Sequence, residues 1–425
     1  MRVKQFFSLY LLLGMYSAYG QFQEVFPQPD RLETHPAWQQ LSNANKAGRW
    51  EEAFNLAIAL ADRYPEEASL YFYAGNALYN NKQYPSASRY YQAVIALYPF
   101  HSVHLTSAVM AAMYAKEPQV VTNAMYTLAF IPMSTEEKAQ AEQYLQGLLD
   151  NFASYTDYSG VTNALRQGLQ QYRQHYAGNM AFHEQHVIKL KGFDAGKSAF
   201  PQDAFAQLKA KKQAGAYPAV LYDHLLGSIA VSCVAGREKT ETLFRKLLPD
   251  FNAALAEKRD NPLSKYLLYK QMERYSENVK DYEAIISASK ILLAELNSSG
   301  IAPALSYEVL INLTDAFLKK KDINQAKEYG QALAAVIPRI VNQGHKIDAY
   351  NTAGVAISYA DKARAAQLFD EGIAYAKRTG VSDYGLIQNK EGFVSGQMSA
   401  ALKSDEKSFI VAENQGVLLT NDARY

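Results

Sequence analysis

Residues Ala68 to Pro99 read ASLYFYAGNALYNNKQYPSASRYYQAVIALYP. Two helix-forming stretches meet at the polar step Asn81-Lys82-Gln83, and the second ends at Pro99, which has no N–H to continue a helical ladder. In the second stretch Ala87, Tyr90, Tyr91 and Val94 recur at three- and four-residue intervals. They form one stripe of an α-helix, so the helix presents an apolar face to a neighbour.

Moving upstream by 34 residues aligns Trp50 with Tyr84, Ala53 with Ala87, and Tyr64-Pro65 with Tyr98-Pro99. Each match has a physical role: the aromatic seals the turn of a helix pair, the alanine lets two backbones approach, and the proline stops the second helix. Ala53, Leu56, Ala57 and Leu60 again make one helical stripe. From Pro36 onward the chain continues as alanine-, leucine- and tyrosine-bearing runs of roughly 12 to 18 residues between short polar turns, with alternating strand-like stretches almost absent. The expected fold is all-α, an α-solenoid of antiparallel helix pairs.

A helix-turn-helix period of this length resembles the tetratricopeptide repeat. Gly75, Tyr84, Ala87, Tyr91 and Pro99 stand where that motif has its small glycine, turn aromatic, alanine, large aromatic and closing proline, while Leu78 replaces the usual aromatic and Tyr79 follows it. The preceding unit, Thr34 to Pro65, keeps Trp50, Ala53 and Pro65 but has Leu41 and Ala57 at the glycine and aromatic places, as a terminal repeat does. A weaker unit from Ser102 to Pro132 carries Val121 and Met125 at the alanine and aromatic positions. Further on, Ser306 to Pro338 carries Phe317, Ala326, Leu333 and Pro338, and Asp348 to Arg378 carries Gly354, Ala365 and Phe369. The step from Ala326 to Ala365 is 39 residues, which calls for longer helices or links. The expected organisation is an export signal at 1–20, repeats at 34–146, degenerate helical repeats at 160–296, repeats at 303–402 and a tail at 403–425.

The first twenty residues combine a basic start (Arg2, Lys4), an apolar stretch from Phe6 to Tyr16 and the small residues Ala18 and Gly20. This is the pattern of a cleavable signal, and the apolar stretch falls short of the roughly 20 residues of a spanning helix. No cysteine follows it to accept a lipid, so a periplasmic or secreted protein without membrane insertion is expected. Cys233, the only cysteine, lies in an apolar run and leaves packing to supply stability. The chain has 43 Lys and Arg against 42 Asp and Glu; without Arg2 and Lys4 that becomes 41 against 42. Such neutrality lacks the electrostatic footprint of a nucleic-acid binder.

No catalytic, metal or cofactor site is expected. Gly192 to Ser198 ends like a phosphate loop, but its glycines are separated by three residues instead of four and no strand precedes it. His183 and His186 are three apart, not four as in a zinc-protease helix, with His175 one further candidate; His101 and His104 form a second such pair. Gly392-Phe393-Val394-Ser395-Gly396 has its serine misplaced for a nucleophile elbow.

In a curved stack the first helix of each pair lines the concave face. This places Trp38, Asn45, Lys46, Phe72, Asn76, Tyr79 and Asn80 toward a groove. The family resemblance implies that such a groove binds a protein or peptide, asparagines holding backbone and aromatics accepting side chains. Met110, Met113 and Tyr114 in the third unit replace the basic set of carboxylate-clamping members, which fits an apolar or extended partner. The 31 tyrosines also suit an alternative role, a carbohydrate-binding or uptake accessory of the cell envelope.

Overall fold

The computed structural model describes Leu32 and residues 35–236 and 240–395. The expected signal at 1–20 and tail at 403–425 lie outside the described residues. Among these residues there is no strand, and no helix is long and apolar enough to cross a membrane. The molecule divides into two compact units, one of Leu32–Ala61 with Glu66–Met272, the other of Asp62–Pro65 with residues from Glu273 onward.

The first unit begins with α1 (Pro36–Lys46), α2 (Trp50–Ala61), α3 (Ala68–Asn80), α4 (Tyr84–Leu97), α5 (Ser102–Ala115), α6 (Pro118–Leu128), α7 (Thr135–Phe152) and α8 (Ser159–Phe182). Each of the first five packs on the next, α7 meets α5 and α8, and α8 lies along α6. Local sequence sets the starts: Pro36 and Pro118 occupy first helical positions, and Ser134 with Glu137 forms a capping box that satisfies donors at the head of α7. At Gly168 a β-carbon would stand 2.7 Å from the Met125 Cβ, so glycine is what lets α8 lie so close to α6.

One turn geometry recurs at the pair junctions. Gly48, Lys82 and Lys116 adopt left-handed φ angles of 71°, 62° and 60°. At each, the N–H of that residue donates three positions back and the next N–H five positions back: Lys82 to Tyr79 O and Gln83 to Leu78 O, with the same pattern at Gly48-Arg49 and Lys116-Glu117. This is the double-bonded helix stop that satisfies the last carbonyls, and it repeats every 34 residues.

The first unit continues through a π-helical turn (His183–Val187) into α9 (Ile188–Lys191), α10 (Gln202–Gln213), α11 (Ala219–Ala235) and α12 (Glu241–Ala256). This stretch packs back against the N-terminal pairs, His224 Nε2 lying 2.6 Å from Ala96 O, and further along the chain Lys270 pairs with Glu66. Beside it, the fully buried Asp223 accepts from the Arg259 Nε and Nη2 groups, each at 2.7 Å, and from the Ser264 hydroxyl at 2.8 Å. Lys265, also fully buried, donates to Leu255 O at 2.8 Å and Glu257 O at 3.0 Å, closing the end of α12. Both buried charges are thus bonded, as burial demands.

The helix α13 (Tyr266–Asn278) contributes its residues from Glu273 to the second unit, which goes on through α14 (Tyr282–Ser299), α15 (Pro303–Lys319), α16 (Ile323–Val336), α17 (Gln343–Ser358), α18 (Lys362–Thr379) and α19 (Tyr384–Asn389). From α14 onward each helix packs on the next through α18, and α15 also meets α17. Lys280 and Lys321 repeat the left-handed stop, with φ of 59° and 64°. The core runs through Leu313, Phe317, Ala326, Leu333, Ala353, Ala356, Ala365 and Phe369. The 39-residue step from Ala326 to Ala365 is taken up by the 3-10 turn Ile337–Arg339, the link to Gln343 and the 16-residue α17.

Candidate binding surface

Among the residues expected along the groove, the structure makes a division. Phe72 and Asn76 are interior, 5% and 2% exposed. Phe72 sets its ring against Tyr91 at 5.6 Å and His104 at 5.2 Å, while Asn76 Oδ1 accepts the Tyr91 hydroxyl at 2.5 Å. Helices α3 and α5 are enclosed on all faces over Leu70–Leu78 and Leu105–Met113, with Tyr144 of α7 donating to the Met110 sulfur at 2.9 Å. The remaining residues keep solvent contact: Trp38 is half-buried with its ring edge-on to Tyr73 at 5.5 Å, Asn45 is half-buried, and Lys46 is exposed. Asn80 is exposed and donates to Asn76 O at 2.8 Å.

Tyr79, half-buried, belongs to an aromatic cluster at the turn edge that sequence reasoning did not assemble. Its ring meets Tyr84 at 5.4 Å and Tyr114 at 5.6 Å; Tyr84 and Tyr114 stack at 4.7 Å, Phe152 joins Tyr114 at 4.9 Å, and Tyr158 joins Phe152 at 4.8 Å. Tyr155, 59% exposed, borders Tyr158, and the Lys116 ammonium sits 4.8 Å over the Tyr158 ring. Burial and neighbouring phenols raise the Tyr79 hydroxyl above its ordinary range, so it stays protonated and available as a donor. The signal for this cluster was present in the 34-residue step from Lys82 to Lys116, which brings consecutive turns to one edge.

The histidines are separated by their roles. His101 caps α5 by accepting from the Val103 N–H at 3.2 Å. His104 lies within reach of Tyr98 O, and burial with His101 nearby lowers it to about 3, so it is neutral. His183 points inward and burial lowers it to about 4, whereas His175 is exposed and the His186 ring lies tilted against Phe182 at 4.9 Å. Among the described residues no group of three His, Cys, Asp or Glu side chains is placed to hold a metal ion. The Gly192–Ser198 link follows a helix, and its Lys197 pairs with Asp194 at 2.9 Å. Cys233 is buried, and burial pushes its thiol up to about 12.

In the second unit, charged side chains of three successive first helices meet. Lys319 of α15 bonds Glu277 of α13 and Asp315, each at 2.6 Å, and Glu308 of α15 stands 3.7 Å from His345 of α17. Glu273 lies among them; burial, with Glu277 and Glu308 beside it, raises its carboxyl to about 8.

Comparison with known protein families and with curated proteins returns no match for this chain.

Proposed function

We propose that this chain is an exported, non-enzymatic scaffold of the tetratricopeptide type, periplasmic or secreted, that binds a protein or peptide across the inner faces of its helix pairs. The reading is supported most by the 34-residue recurrence of the turn at Gly48, Lys82 and Lys116, which sets α1, α3 and α5 side by side as the first helices of successive pairs. Export is argued from residues 1–20 of the sequence alone.

Asn45, Lys46, Tyr79 and Asn80 are the partner-facing residues of this reading, with Trp38 at the end of the row. Phe72 and Asn76 act behind them, fixing the helix pair. The test is site-specific photocrosslinking in the native host, with the crosslinker at Asn80 or Lys46 on this face and at Glu51 on α2 as a control. Partner adducts should concentrate at Asn80 and Lys46; equal yields at Glu51 would remove the face from consideration.

The aromatic cluster favours a second reading, carbohydrate binding, because tyrosine rings beside polar side chains stack on and hydrogen-bond to sugars. A glycan array probed with the chain and with Tyr155→Ala decides it: signals lost in the variant support it, and silence removes it.

A further inference from the structure

The second unit holds a cleft of about 300 Å³ on its second helices, between α16 and the turn that joins α17 to α18. Lys327, Gln331 and Ala334 stand four and three residues apart, so one face of α16 supplies one wall. Gly330 brings that wall in: a β-carbon there would stand 2.6 Å from Ala356 Cβ, so α16 lies close along α17. The other wall is the turn, held by the Ala360 and Asp361 N–H groups, which both donate to Ile357 O at 2.9 Å. Ala334, Ile357 and Ala360 make an apolar lining, to which Lys327 and Arg364 add two cations. Those cations are weakly engaged. Lys327, half-buried, makes no hydrogen bond or ion pair with any described residue. Arg364 reaches Glu371 at 3.9 Å, the outer limit of an ion pair, while the same Glu371 oxygen takes the Gln367 amide at 2.9 Å. Asp361, the acid of the cleft, is committed to the fold, its Oδ1 accepting the Arg364 N–H at 2.9 Å as the cap of α18.

We propose that this cleft binds a small aliphatic carboxylic acid as its anion, with the carboxylate held by Lys327 and Arg364 and the hydrocarbon chain against Ala334, Ile357 and Ala360. Charge complementarity selects the class. Two cations against one capped carboxylate leave a single positive charge, which one carboxylate answers. A phosphate would leave the apolar lining unused, and a neutral apolar molecule would leave both cations unanswered. A largely apolar cleft with a few polar groups is the usual form of a small-ligand site, and this volume is at the small end of that range. The guanidinium offers parallel N–H donors to the two carboxylate oxygens, and the ammonium adds a point charge. The site belongs to a different unit from Asn80 and Lys46 and does not rest on the peptide-binding reading.

The test uses the full chain and hexanoate, titrated by ligand-observed saturation-transfer NMR at low ionic strength, with acetate as the probe lacking a chain and hexanamide as the probe lacking the charge. Hexanoate should bind with a Kd of about 1 mM, as expected for a ligand of this size. Acetate and hexanamide should each bind at least roughly tenfold more weakly, since each leaves half of the cleft unanswered. Lys327→Gln and Arg364→Gln should each weaken hexanoate by about three- to tenfold. Lys377→Gln, an exposed position near the far end of α18, removes the same charge outside the cleft and should change nothing. All three substitutions are at solvent-reaching positions, and unchanged thermal midpoints verify that the variants fold. Absence of hexanoate binding by the unaltered chain, equal binding of acetate or hexanamide, or an equal loss in Lys377→Gln overturns the proposal. Crosslinks at Asn80 and Lys46 bear on the first unit alone, so either reading can fail without the other.

Discussion

The Tyr91 hydroxyl donates to Asn76 Oδ1 at 2.5 Å, tying the second helix of the strongest repeat to the inner face of the first. Both side chains are buried, and Asn76 Nδ2 has no partner of its own. Tyr91→Phe leaves the amide oxygen without its donor and should destabilise the first unit by about 1–3 kcal/mol. Adding Asn76→Leu should recover part of that loss, since a polar pair replaced together leaves nothing unsatisfied. Urea melts of both single variants and the double variant measure the coupling; simple additivity would show that the bond contributes nothing specific.

Gly354 and Phe369 repeat in the second unit what Gly75 and Tyr91 do in the first. A β-carbon at Gly354 would stand 2.7 Å from Phe369 Cζ, whereas at Gly75 the nearest Tyr91 ring carbons are 3.1 Å away. Gly354→Ala must push an interior ring aside and is expected to cost about 1–3 kcal/mol, with Gly75→Ala costing less. The order of the two midpoints in chemical denaturation is the check.

Lysines at left-handed turn positions are a local cost that the helix stop imposes. Lys82→Gly keeps both backbone bonds while removing the Cβ strain of its φ of 62°, so stability should rise by about 0.5–1 kcal/mol. Lys82→Ala keeps the Cβ and should not gain. A calorimetric midpoint that falls in the glycine variant would mean that the lysine side chain itself carries the turn.

Acid should act first on the first unit. His104 is held at about 3 against an ordinary 6.5, chiefly by burial, and His183 at about 4. A base lowered on folding takes up its proton more readily when unfolded, so its contribution is intact above about pH 6.5 and is lost as pH falls toward 3. By about pH 4.5 His104 accounts for about 1–2 kcal/mol of lost stability, allowing for its partly exposed edge. His104→Gln should flatten the dependence of the thermal midpoint on pH between about 6.5 and 4.5; an unaltered slope contradicts this assignment.

Helix pairs were legible wherever side chains repeat in type. Trp50 and Tyr84, Ala53 and Ala87, and the closing prolines mark the first pairs because those positions demand an aromatic, a small residue and a helix stop. The stretch from α8 to α12 was opaque for a physical reason: it packs back on the N-terminal pairs through individual contacts such as His224 of α11 with Ala96 O of α4, and no periodic pattern encodes them. The surroundings of the residues expected along a groove were only half legible. Spacing locates the inner face of α3, but it does not reveal that Tyr91 reaches across to Asn76 or that Phe72 lies between Tyr91 and His104. Likewise Glu273, Glu308 and His345 are far apart in sequence and look like ordinary surface charges until α13, α15 and α17 bring them together.

The solitary thiol of Cys233 gives this molecule a built-in clock. With 2% of its surface accessible and its proton held up to about pH 12, it cannot meet a maleimide or a disulfide reagent while α11 stays seated. Its rate of labelling therefore counts the moments at which α11 lifts away, without any engineered probe. Because no second cysteine competes for the reagent, a single exponential from one site reports how often the middle of the first unit breathes.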